Sequence, residues 1–252
     1  MTSLFALTRP MPCLSFNHGS GRGSGVGNFL RKYAKSLPRP PTGIVVAEAH
    51  LVHLKGDTVK IAGTAQLAAK VAAHLGTAGI RSQILNSNSW NSAHGFADVK
   101  RVFEGTPVVM ISVPSNNGSA SASLALGRAL APLRKHGVLI MGSGVPSFHN
   151  FSLLKRSLAA QRQKHCLAFV DWLDRTLAMG NVEEREKVLS SWQSAPSAGP
   201  CHPGTDSHFS PTLVCAGASL STGRPVHAES HREILPMAGP IDWSTMRHFE
   251  FL

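Results

Sequence analysis

Short continuous apolar runs alternate with stretches of helical apolar spacing along most of this 252-residue chain. Cys13-Leu14-Ser15-Phe16 predicts a strand. A glycine-rich turn follows, then Phe29, Leu30, Tyr33 and Leu37 at helical spacing, closed by Pro38. Gly43-Ile44-Val45-Val46-Ala47 reads as a buried strand. Thr64 is placed to cap a helix with Leu67, Val71 and Leu75 on one stripe, ending near Gly76 and Gly79. Residues 80–85 and 107–113 predict two further strands, the second the clearest of all. A helix through Leu124, Leu126 and Leu130 leads to a strand at Gly137-Val138-Leu139-Ile140-Met141. Residues 161–177 are helical by period, with Leu167, Val170, Leu173 and Leu177 together, and 183–192 continue helical. From Ser219 onward the pattern is irregular until 243–251, which reads as an edge strand.

Strands alternating with helices imply an α/β fold, with a largely parallel or mixed central sheet covered by helices on both faces. No internal repeat or long linker divides the chain, so residues 1–252 read as a single domain with its core at about 13–251.

Composition narrows the picture. Lys+Arg 25 against Asp+Glu 14 gives a net charge of +11, yet only 15% of residues are charged. About 25% is ordinary for a soluble domain, so the balance reflects scarce acids rather than abundant bases. At 42% hydrophobic, the chain is neither disordered nor collagen-like. No apolar run approaches the roughly 18 residues of a membrane span. Four cysteines without CxxC spacing point to reduced thiols and a cytoplasmic protein, with Cys13, Cys166 and Cys215 as inert core residues. Residues 1–47 carry six bases and no acid. Organelle import is the lesser reading of that segment, because Pro10 and Pro12 break any early amphipathic helix. A nucleic-acid-associated protein is a runner-up on charge alone, with no RNP, zinc-finger or basic-zipper pattern behind it.

Histidine is the outlier, with 13 copies beside a single tyrosine. In sheets of this kind, function gathers at the carboxyl ends of strands. His18 follows the first predicted strand, His50 ends the second, and His149 follows the Met141 strand by a short loop. His94 lies in a polar loop before the strongest strand, and His208 precedes an apolar run. Imidazole is the commonest zinc ligand and also suits iron. His53, His74, His136, His165, His227, His231 and His248 carry no such placement.

The residues around these histidines resemble the class III extradiol ring-cleavage dioxygenases, most closely the DOPA-dioxygenase type related to the protocatechuate 4,5-dioxygenase catalytic subunit. Asn17-His18-Gly19-Ser20 is similar to the family's HGS turn, and Val45-Val46-Ala47-Glu48-Ala49-His50 to its second strand, which ends in alanine-histidine. His94-Gly95 resembles its loop HG. Gly137–Gly144, GVLIMGSG, followed by His149-Asn150, resembles its most specific segment. Cys201-His202-Pro203, His208-Phe209-Ser210-Pro211 and Ala216-Gly217-Ala218 resemble its C-terminal segment.

The resemblance implies a single extradiol-dioxygenase-like catalytic domain that cleaves a catechol-type aromatic ring with O2. It implies a mononuclear metal held by His18, His50 and His208, with His149 beside it as acid/base or, without substrate, a further ligand. His94 would face the substrate as a second acid/base. Fe(II) is the ion expected for turnover. Zn(II) is expected in purified protein, since it outranks Fe(II) at nitrogen sites. The alternative is an idle, zinc-binding member of the same fold. Two departures stand out: only thirteen residues separate His50 from Thr64 where the family carries a long aromatic, proline-rich substrate loop, and Ala93 replaces the aspartate usual before the HG histidine. The alternating glycines at 19–27 fit neither GxGxxG nor a Walker pattern, and read as a flexible loop rimming the site. Gly142-Ser143-Gly144 is no nucleophile elbow, because Met141 stands where GxSxG needs glycine.

Overall fold

The structure, a computed structural model, describes residues 9–18, 26–50, 58–86, 94–114, 119–150, 152–153, 159–204, 207–220, 228–232 and 247–252. The glycine loop at 19–25, His53, His227 and the segment 51–57 lie outside the described residues.

The chain builds one mixed α/β sheet. Its strands are β1 (Cys13–Asn17), β2 (Gly43–Glu48), β3 (Val59–Gly63), β4 (Ser82–Ile84), β5 (Val108–Ser112), β6 (Val138–Gly144), β7 (Ala228–Arg232) and β8 (Arg247–Phe251), in the order β4-β3-β5-β2-β6-β1-β8-β7. The central four, β5, β2, β6 and β1, run parallel. They are flanked by antiparallel pairings of β3 with β5 and of β8 with β1. The helices are α1 (Val26–Ser36), α2 (Ala65–Thr77), α3 (His94–Val102), α4 (Ala120–Lys135), α5 (Ala159–Leu177), α6 (Val182–Ser190), α7 (Ala198–Cys201) and α8 (Ser210–Leu220). Among the described residues no helix is long and apolar enough to cross a membrane.

Strand alternation sorts the core into two layers. Leu14 and Phe16, Ile44 and Val46, Met110, Leu139 and Met141 pack on one face against Phe29, Leu30 and Tyr33 of α1 and Phe96 and Val99 of α3. Cys13, Val45 and Ala47, Val109, Ile111 and Ile140 pack on the other, against α2, α4, α5 and α8. Because both faces are covered, the central strands are continuous apolar runs rather than alternating ones. That is why they stood out in the sequence.

The expected elements form, with local corrections. The 243–251 strand is not an edge: β8 lies between β1 and β7, and Phe249 and Phe251 are fully buried. Its outer neighbour β7 (AESHR) has no apolar alternation and gave no strand signal. β3 (VKIAG), interrupted by Lys60, also gave no continuous apolar run. Thr64 occupies the cap position of α2 without capping it. Its hydroxyl donates to Val108 O at 3.4 Å instead. Leu167 departs from its predicted stripe and is exposed on α5. The 183–192 helix is split into α6, capped by Asn181 through the amide of Glu184, and a single 3-10 turn at Trp192–Ser194. All four cysteines are free and buried, and burial raises the thiol pKa values of Cys13, Cys201 and Cys215.

Helices α4 and α8 touch backbone to backbone. A methyl group added at Gly127 would lie 2.0 Å from Val214 O, and one at Gly217 would lie 2.2 Å from Leu124 O. Gly127→Ala should therefore destabilise the fold by about 1–3 kcal/mol through overpacking. Gly76→Ala, on α2 with open space around it, should instead stabilise by up to about 1 kcal/mol through helix propensity. Urea midpoints of the two variants test this contrast, and a neutral Gly127→Ala would contradict the packing described.

Candidate metal centre

The carboxyl ends of β1, β2 and β6 lie side by side, since these strands run parallel in adjacent positions. His18 is the first residue past β1 and is 3% exposed. His50 stands two residues past β2 and is exposed. His208 precedes α8 and is 8% exposed. One ligand atom from each of these three imidazoles can be chosen so that all lie within 4.8 Å of one another. Their ring centroids are 4.7 Å apart for His18–His50, 4.8 Å for His50–His208 and 5.5 Å for His18–His208. This is the scale of a mononuclear centre, whose metal–nitrogen bonds are about 2.1 Å. Three nitrogen donors suit zinc or non-haem iron, and differ from the oxygen sets that magnesium and calcium select. The donor set thus fits the ion expected of it.

Backbone contacts, more than the side chains themselves, put these rings together. The first turn of α8 rests directly on β6: a methyl group at Gly142 would lie 2.5 Å from Pro211 O, and one at Gly144 would lie 2.3 Å from His208 O. The glycines of the Gly142-Ser143-Gly144 segment are therefore a steric requirement. Val145 N donates to His208 O at 3.1 Å, and His18 N donates to Gly144 O at 3.0 Å. Two of the three histidines are thereby tied to the end of one strand. The Ser207 hydroxyl donates to Ala49 O at 3.1 Å, which links the turn before His208 to the residue before His50.

His149 stands beside the triad rather than within it. Its ring stacks on His208 with centroids 3.5 Å apart and planes 18° from parallel. The His149 backbone amide donates to Cys201 O at 2.8 Å, and Asn150 Nδ2 donates to Pro200 O at 2.9 Å, fastening this loop to α7. His94 opens α3, its side chain outside the described residues. The next residue, Gly95, lies so close to β6 that a methyl group there would lie 2.0 Å from Ser143 Oγ. The start of α3 is thus seated over the same strand end. His202 is elsewhere: 2% exposed, it packs among Phe169, Trp192 and Phe209. His74 falls in the last turn of α2, His136 at the end of α4, and His165 on α5 near Ser197.

Three contributors escaped the sequence reading. Glu48 is fully buried at the end of β2, in register with Ser112 on one side and Ser143 on the other. Its Oε1 accepts the His50 N–H at 3.3 Å. Burial pushes its carboxyl up to about 7, outweighing the opposing pull of Ser143 and the backbone amides of His50 and Ala49. An acid in phase with Ile44 and Val46 was a visible signal. Ser207 and His248, whose Nδ1 accepts the Asn17 backbone N–H at 3.1 Å, gave none, because their partners are distant in sequence.

Residues 42–246 match the family described as the catalytic LigB subunit of aromatic ring-opening dioxygenase. The chain belongs to this family, the class III extradiol dioxygenases. It is 35% identical over 120 residues to dioxygenase tasH of Hapsidospora irregularis, covering 45% of this chain and 36% of that protein. It is 34% identical over 113 residues to the 4,5-DOPA dioxygenase extradiol of Beta vulgaris, covering 45% and 40%. These matches span well under half of either relative. The crystal structure of uncharacterized protein JW3007 from Escherichia coli K12 is similar in fold, with a TM-score of 0.65 at 20% identity over 96% of this chain and 98% of that one.

Because Gly144 sets the seat of His208, Gly144→Ala should weaken zinc binding by about 10–100-fold, the range typical of residues that orient metal ligands. Competition with a chromophoric chelator measures this. Wild-type affinity in a folded Gly144→Ala protein would contradict the assigned role of the contact.

Proposed function

We propose that this protein is a metal-dependent extradiol dioxygenase that opens a catechol-type aromatic ring with O2, acting as one catalytic domain. The supporting observation is the convergence of His18, His50 and His208 on one point, with His149 against them, in a chain of this family. Fe(II), when bound, would supply open coordination positions for catechol and O2 and the redox chemistry that joins them.

The residues of the chain do the rest. His18, His50 and His208 would hold the ion, each through one ring nitrogen. Burial of His18 and His208 keeps water from their side, while the exposed His50 marks the open side. His149 takes a proton from a catechol hydroxyl at a ring nitrogen and returns it to the opening ring, as a general acid/base. His94, opening the helix seated over Ser143, is the second acid/base of this reading.

A second reading, an idle member holding zinc, is favoured by one observation. Between His50 and Thr64 the chain spends Val59–Gly63 on β3, a strand of the sheet, leaving little length for a substrate loop.

Variants separate holding from chemistry. His18→Ala, His50→Ala and His208→Ala should each lower metal content, measured by elemental analysis. His149→Ala should keep most of the metal and slow turnover by about 10²- to 10⁴-fold, with His94→Ala milder. Loss of metal in His149→Ala equal to that in His18→Ala would make His149 a ligand and pass its role to His94.

The ion decides between the two readings. Protein reconstituted anaerobically with Fe(II) should consume O2 when given a catechol panel, and zinc-loaded protein should not, because zinc has no redox chemistry. Absence of uptake at full iron loading would select the idle reading.

A further inference from the structure

On the side of His18 away from β6, the antiparallel ladder between β1 and β8 runs through the pairs Cys13–Phe251, Leu14–Glu250 and Ser15–Phe249 and then stops. The amide of Asn17, two residues further on and immediately before His18, donates to a side chain instead: His248 Nδ1 accepts it at 3.1 Å. This imidazole is 1% exposed. Its ring lies flat on Phe29 of α1, with centroids 3.8 Å apart and planes 10° from parallel. Nδ1 can accept only if it carries no proton, so the ring is held in one tautomer with its proton on Nε2.

We propose that His248 is a positioning residue for His18, rigidly locating the end of β1 so that the His18 ring meets those of His50 and His208. The proposal rests on the reading of His18 as a metal ligand. The consecutive amides of Asn17 and His18 are anchored on opposite sides, the first by His248 on β8 and the second by Gly144 on β6. Without the first anchor, the chain can turn about the last rung of β1, and a ring that must sit within a fraction of an ångström of its place drifts. Phe29 fixes the His248 ring in turn. The residue acts through backbone geometry and has no contact with substrate in this account.

The test crosses two substitutions against two measurements on the full chain. His248→Asn puts an amide oxygen where Nδ1 was, the same number of bonds from the backbone, but removes the ring that stacks on Phe29. His248→Phe keeps a stacking ring and removes the acceptor. Thermal unfolding of the metal-free proteins should rank His248→Phe above His248→Asn. Affinity for Co(II), followed by its visible absorption, should rank them the other way, with His248→Phe about 10-fold or more weaker than wild type and His248→Asn close to wild type. Cobalt affinity that follows the stability ranking, or that is unchanged in His248→Phe, would overturn the proposal. His18→Ala, measured in parallel, tells the two failures apart. If it binds cobalt as wild type does, the ligand reading and the proposal fall together. If it loses cobalt while His248→Phe does not, only the proposal falls.

Discussion

Gly142 and Gly144 present bare backbone to the first turn of α8, and that contact decides where His208 stands. Any side chain at either position would push the turn away, and His208 with it. The same strand end holds His18 through Gly144 O, while Ser143, between the two glycines, faces the opposite layer toward Glu48 and the start of α3. One extended segment of three residues therefore references both layers of the protein to a common point. Side-chain alternation along β6 makes this work: glycines face one helix, and a small hydroxyl faces the other.

A centre assembled this way exists only in the folded chain. His18 and His208 are 190 positions apart in sequence, so an unfolded chain holds no comparable set of donors. A metal bound there would add its binding free energy to folding. The buried rings depend on hydrogen bonds from neighbouring backbone and side chains, including Ser207 to Ala49 and Asn17 to His248. Such contacts restrict the donors before an ion arrives, so less ordering is left to be done on binding.

Much of this arrangement was legible in the sequence, for a physical reason. Central parallel strands are buried on both faces and announce themselves as unbroken apolar runs, as in β2, β5 and β6. Histidines placed at the ends of such runs are already at the functional edge of the sheet. What escaped detection has the opposite character. β7 is a polar edge strand that depends on β8 for its pairing, and β8 was misplaced to the edge because its outer neighbour left no trace. His248 owes its importance to a partner across the sheet, Asn17, which linear spacing does not reveal, whereas Glu48 stood in plain view as an acid in phase with Ile44 and Val46. The family motif Gly-Ser-Gly was readable as a pattern, but its cause, the seat of α8, needed three dimensions.

The sheet brings together three segments whose ends carry His18, His50 and His208, proposed to hold one metal ion. Anomalous diffraction from crystals of zinc-loaded protein addresses that proposal directly. A single strong peak is expected about 2.0–2.1 Å from one ring nitrogen of each of these three residues. A peak that omits any of the three, or that sits at His202 within its aromatic surroundings, would contradict it.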